Sequence, residues 1–181
     1  MIETTPHLYR SSALSHRKPT RFRLAPSVDE RAAMAATLGL QAIYSLGFEG
    51  EISPVGRSDF VLTAQLRADV VQDCVVTLAP VPAKIDEPVS RRYVADYVAP
   101  EGDEVELLED DTGEALPEVL DLTDVLREAL ALALPLYPRA PGAALGEAVF
   151  AAPETQPLTD ADLRPFAGLA ALVRKDPEPE A

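Results

Sequence analysis

The sequence predicts an α+β fold: a mostly antiparallel sheet of about four to five strands, packed by an N-terminal helix near residues 27–38 and a central apolar helix near 122–134, with a short C-terminal helix. Three observations carry that expectation. Phe60, Leu62, Ala64, Leu66, Ala68 and Val70 alternate with Thr63, Gln65, Arg67 and Asp69, the period of a half-buried antiparallel strand. Leu122, Val125, Leu126, Ala129, Leu130 and Ala133 follow the i, i+3, i+4, i+7 spacing of a helix that buries one face. Ser27 and Glu30 stand in the S-x-x-E relation of a capping box, ahead of an alanine-rich run that stops at Gly39.

Taken in chain order, residues 1–20 show no usable periodicity and are expected to form a flexible basic arm. From Thr4 to Leu24 the chain has five bases and no acid, a composition shared with organelle transit peptides, but "RFRL" already reads as the start of a strand. A single α+β domain is expected over 21–150. After the capped helix, Ala42, Tyr44, Leu46 and Phe48 share one parity and suit a strand, with Gly47, Gly50, Pro54 and Gly56 marking turns around its end. In the long strand that follows, Gln72 interrupts the parity, which resumes at Cys74, Val76 and Leu78. A bulge or corner at residues 71–73 accounts for this, with Cys74 as apolar filler on the buried side.

"EPVSRRYVADYV" and "DEVELL" read as two further strands, and "EDDTGEALPE" as an acidic surface loop. The central helix has Asp121 or Thr123 as its cap, Asp124 at the positive end of its dipole, and Leu132 widening its apolar stripe. Pro135 stops it by forcing Leu134 out of helical geometry. The chain then runs extended through "PLYPRAPGA". Residues 151–175 are expected as a C-terminal extension with a short helix from Arg164 to Arg174, and 176–181 as a disordered tail.

Charge and composition narrow the function classes. Thirty acids against 16 bases give a net charge of −14, which opposes non-specific attraction to nucleic acid or anionic membrane and favours a strongly basic partner. No run of about 20 apolar residues and no secretory signal core occurs, so a soluble, cytoplasmic protein is expected, with no membrane or DNA partner. One cysteine makes no intramolecular disulfide. His7 and His16, both near the start, cannot complete a zinc site with it, so no metal and no cofactor are expected. Cys74 has no adjacent histidine to activate it, and no phosphate loop, G-x-S-x-G or H-E-x-x-H occurs, so catalytic residues are expected to be absent.

Contact residues are sought among the minority of cations. Arg67 lies on the polar side of the long strand; Arg91 and Arg92 are neighbours on a strand and point to opposite faces. Arg139 stands among prolines, where stiff backbone presents a guanidinium to a phosphate or to an acidic loop. Glu109, Asp110 and Asp111 are the candidates for contact with a basic partner, and for a metal-dependent enzyme if there were one.

At "DVVQDCVVTLAPV" followed by "DLTDVLREALALALPLYPRAPGA", the sequence resembles the YceD family of large ribosomal RNA subunit accumulation proteins, in the form found in alphaproteobacteria. "SVDERAAMAATLGL" and "PFAGLAALVRK" extend the resemblance from about residue 14 to about 175. In other branches the segment matching "CVVTL" reads C-x-x-C-L; here Thr77 replaces the second cysteine, so no metal role carries over. The resemblance implies a non-enzymatic factor in large ribosomal subunit biogenesis. Its partner would be 23S rRNA precursor or a basic large-subunit ribosomal protein, which it would escort. The resemblance carries no active-site residues, and nothing in the sequence gives the oligomeric state.

Overall fold

Residues 7–97, 113–144 and 146 are described by the computed structural model. Apart from Ala144 and Gly146 they belong to one unit, Met1–Ala143. Strand β1 (Leu8–Arg10) leads through a 3-10 turn (Ser11–Ala13) to β2 (Thr20–Leu24) and then to helix α1 (Val28–Leu38). Three long strands follow: β3 (Ala42–Val55), β4 (Asp59–Asp73) and β5 (Pro80–Val94). Two short strands, β6 (Gly113–Ala115) and β7 (Val119–Asp121), precede helix α2 (Leu122–Ala133).

The main sheet has the order β2-β3-β4-β5-β6, with every pair antiparallel except β5 and β6. Strands β1 and β7 form a separate two-stranded sheet. The stretch expected as an arm therefore contributes a paired strand, the core residue Leu14 (5 % exposed) and His16, whose ring lies 5.2 Å from that of Phe60.

Both helices form where their caps were read. Ser27 accepts the Glu30 N–H while the Glu30 carboxylate accepts the Ser27 N–H, and Gly39 closes α1 in the left-handed region at φ 66°. These bonds hold the Glu30 carboxyl below its ordinary pKa. Asp121 caps α2 by accepting the Thr123 N–H, and Leu134 leaves the helix in an extended conformation ahead of Pro135.

On β4 the alternation decides which side is dry. Phe60, Leu62, Leu66 and Val70 face Leu122, Leu126 and Leu130 of α2 and Phe48 and Ile52 of β3 in one core. Each fully buried large aliphatic side chain contributes roughly 1.5–3 kcal/mol. The opposite face is mostly polar, with Thr63 and Arg67 exposed and Gln65 and Asp69 partly so. Gly50 and Ala64 pair on the inner side, where a Cβ at position 50 would stand 2.1 Å from the Thr63 carbonyl oxygen.

Several local expectations are corrected. Tyr44 is exposed and Ile43 buried, because a register irregularity between Ile43 and Ser45 shifts parity at the start of β3. The strand runs straight through Gly47, Gly50 and Pro54, and the turn comes at Gly56, φ 62°. β4 keeps its register with β5 through Asp73, so there is no bulge or corner at residues 71–73; the chain turns only after Asp73, and no strand resumes at Cys74. β5 starts at Pro80, earlier than the pattern "EPVSRRYV" indicated, with Pro80, Pro82 and Pro88 on it. Those prolines fit because, among the described residues, that side of β5 is paired only from Arg92 to Val94, and at an edge a missing N–H costs no ladder bond. Gly113–Ala115, expected within an acidic loop, is β6, and Leu132 is 77 % exposed instead of widening the buried stripe. "DEVELL" and the expected C-terminal helix lie outside the described residues. Among the described residues no helix is long and apolar enough to cross a membrane.

Candidate functional site

The connection from β4 to β5 is a tight loop built around a sulfur. Cys74 N–H donates to the Ala79 carbonyl (2.8 Å) and Leu78 N–H to the Cys74 carbonyl (3.0 Å), with Leu78 held at φ 57°, a conformation that L side chains rarely adopt. Cys74 Sγ accepts N–H bonds from Ala140 (3.3 Å), Thr77 (3.4 Å) and Val76 (3.5 Å). The Ala140 N–H and the Thr77 side chain bring the thiol pKa down to about 6, against the opposing effect of burial. Cys74 is thus neither a strand residue nor passive filler. It is the acceptor that organises a turn, and at 0 % exposure its sulfur has no open approach for an electrophile.

The same loop is clasped by the segment leaving α2. Gln72 Nε2 donates to the Pro135 carbonyl (3.1 Å), Val75 N–H to the Pro138 carbonyl (2.9 Å), and Ala140 N–H to the sulfur. The two sequence motifs around Cys74 and Pro138, more than sixty residues apart, therefore form one interlocked corner. Its outer surface is apolar: Leu136 is 84 % exposed, Tyr137 77 %, Leu78 74 % and Val75 50 %.

The candidate cations are placed separately. Arg67 lies on the outer face of β4 between Glu49 (3.0 Å) and Asp86 (3.4 Å), in a lattice that continues through the Arg23–Glu49 and Arg21–Glu51 pairs. Arg91 points to the other face, only 14 % exposed, and its guanidinium joins Glu114 (2.6 Å) to Glu128 (3.0 Å). Burial works against its charge, yet the hydrogen bonds it donates to the carboxylates of Glu128 and Glu114 more than offset that, and its pKa is raised. Arg92 is half-buried on the outer face opposite Val61 and is not without partners. Arg139 is exposed, held between two residues whose backbones bond the Cys74 loop. The structure does not bring these four arginines into one patch. Glu109, Asp110 and Asp111 lie outside the described residues.

Sequence reasoning missed the carboxylates that hold Arg91, because Glu114 and Glu128 come from distant elements. It also missed a groove of about 500 Å³ between α1 and α2, floored by Leu24, Met34 and Leu126 and rimmed by His7, Glu30 and Arg127. Its lining comes from the β2–α1 segment, α1 and α2, which only the tertiary fold brings together. Among the described residues no group of three or more His, Cys, Asp or Glu is arranged to hold a metal.

A family model described as large ribosomal RNA subunit accumulation protein YceD matches residues 62–173. That span takes in both halves of the interlocked corner and all of β5 and α2. No curated protein and no solved structure matches the chain.

Proposed function

This chain belongs to the YceD family, and from that premise we propose that it supports large ribosomal subunit biogenesis as a non-enzymatic binding factor whose direct contact is with a basic protein. The family's description gives large ribosomal RNA subunit accumulation; a role in 23S rRNA accumulation or processing, and contact with a basic large-subunit ribosomal protein, are the finer claims proposed. Thr77 in place of a second cysteine fits the alphaproteobacterial form of the family.

The observation that carries the protein-contact reading is the engagement of the arginines. Arg67 and Arg91 each lie between two carboxylates, so two of the four candidate cations are already paired within the fold. A net charge of −14 adds to the disfavour of a polyanion. The competing reading, local RNA contact, is supported by exposed Arg139 beside the exposed apolar corner, where Tyr137 offers a stacking ring.

Affinity capture of the tagged full chain from its own cells, with identification of both protein and RNA, tests the proposal. Basic large-subunit proteins, retained after nuclease treatment, are the expected result. Recovery of rRNA alone, with proteins lost on nuclease treatment, would replace it with the RNA reading.

A further inference from the structure

On the helix-covered side of the sheet a groove of about 670 Å³ runs between β5 and α2. Val89, Ala129 and Leu132 give it an apolar lining, and Glu87, Glu114 and Glu128 stand around it. Arg91 lies among them, already paired with Glu114 and Glu128, so three carboxylates answer one guanidinium and the groove keeps surplus negative charge. Glu128 and Leu132 are four residues apart on α2 and therefore share a face, one offering charge and the other an exposed isobutyl group. An exposed leucine at the lip of a groove bordered by charge of one sign suits an interaction surface.

We infer that this groove docks a basic amphipathic segment of a protein partner, with Lys or Arg side chains on Glu87, Glu114 and Glu128 and an apolar side chain against Leu132. The charge complementarity selects the occupant. Phosphates or an acidic peptide would meet surplus like charge, and a purely apolar segment would leave the carboxylates without counter-charge. The inference rests on the proposed contact with a basic protein and adds where that contact is made.

The test is fluorescence anisotropy on the full chain with three labelled probes: a short peptide of alternating Lys and Leu, the same peptide with Ser for Leu, and a single-stranded RNA. The Lys/Leu peptide is expected to bind, more weakly as salt rises, and the Ser version to bind less tightly. Glu87→Gln, at an exposed carboxylate outside the Arg91 ion pairs, should weaken the Lys/Leu peptide at least about threefold at unchanged Tm. Leu132→Ser should remove the difference between the two peptides. If the unaltered protein ignores the Lys/Leu peptide or prefers RNA, the inference is overturned. If it binds the peptide and the variants bind equally well, the groove is overturned while contact with a basic protein elsewhere stands. Capture from cells judges that broader reading independently.

Discussion

Strand β4 presents two surfaces that differ in almost every physical respect although their residues alternate along one backbone. Toward the helices, Phe60, Leu62 and Leu66 are at most 1 % exposed; toward the other side, Arg67 keeps 60 % of its side-chain surface in a lattice with Glu49 and Asp86. The comparison teaches that alternate residues of one strand contribute to stability by different physical means. The dry side contributes through area removed from water, whereas exposed ion pairs contribute a median near 0–1 kcal/mol because solvent and side-chain entropy offset them.

The largest effect that would break this contrast is on the dry side. Leu126→Ala, at a position with 0 % exposure, should cost roughly 2–5 kcal/mol in denaturant titration. A loss below about 1 kcal/mol would mean that α2 contributes little to the core.

The corner where the alternation ends comes next. The Cys74 thiol is depressed from its ordinary value of 9.0 to about 6 in the folded chain. A depressed acid adds stability above its unfolded pKa and loses it as pH falls through the folded value. The denaturation midpoint should therefore rise between about pH 6 and pH 9, and Cys74→Ala should flatten that rise. An unchanged slope would show that the N–H bonds do not favour the thiolate.

Smaller still is the cap of α1, the helix lying over β3. Ser27→Ala should cost about 1 kcal/mol. Because Glu30 is held below its ordinary pKa, the cap's contribution should fade as pH falls below the ordinary carboxylate range, visible as a steeper acid limb in the unaltered chain than in the variant. The smallest effect belongs to the exposed face: Arg67→Ala should change stability by less than about 1 kcal/mol. A greater loss would sharpen the comparison in the opposite sense, showing that the lattice acts as a cooperative network.

Much of the dry side was legible because its signals are local. Alternation from Phe60 to Val70, the Ser27/Glu30 box and the Asp121 and Pro135 boundaries each operate within a few residues, and each is in place. What escaped depends on contacts between distant segments. The irregularity near Ser45 reverses the facing of Tyr44, and a parity rule carries no sign of a register shift. The first half of β5 was hidden by Pro80 and Pro82, which argue against a central strand but are permitted at an edge. Cys74 was read as buried from its neighbours, and it is; that its sulfur accepts the N–H of Ala140 required knowing where the chain returns after α2. Of the candidate contact residues, exposure of Arg139 was anticipated from its prolines, whereas Arg91 looked available until Glu114 and Glu128 were placed beside it.

The prolines of β5 bear on how this molecule can be recognised at all. With Pro82 and Pro88 unable to donate, that border offers a visiting chain an incomplete set of main-chain bonds, which discourages sheet extension by neighbours and by copies of the protein itself. Whatever settles there must be gripped chiefly by side chains. A handhold of that kind is indifferent to whether the visitor arrives coiled or stretched, so visitors with unrelated shapes but similar charge could be accepted at one berth.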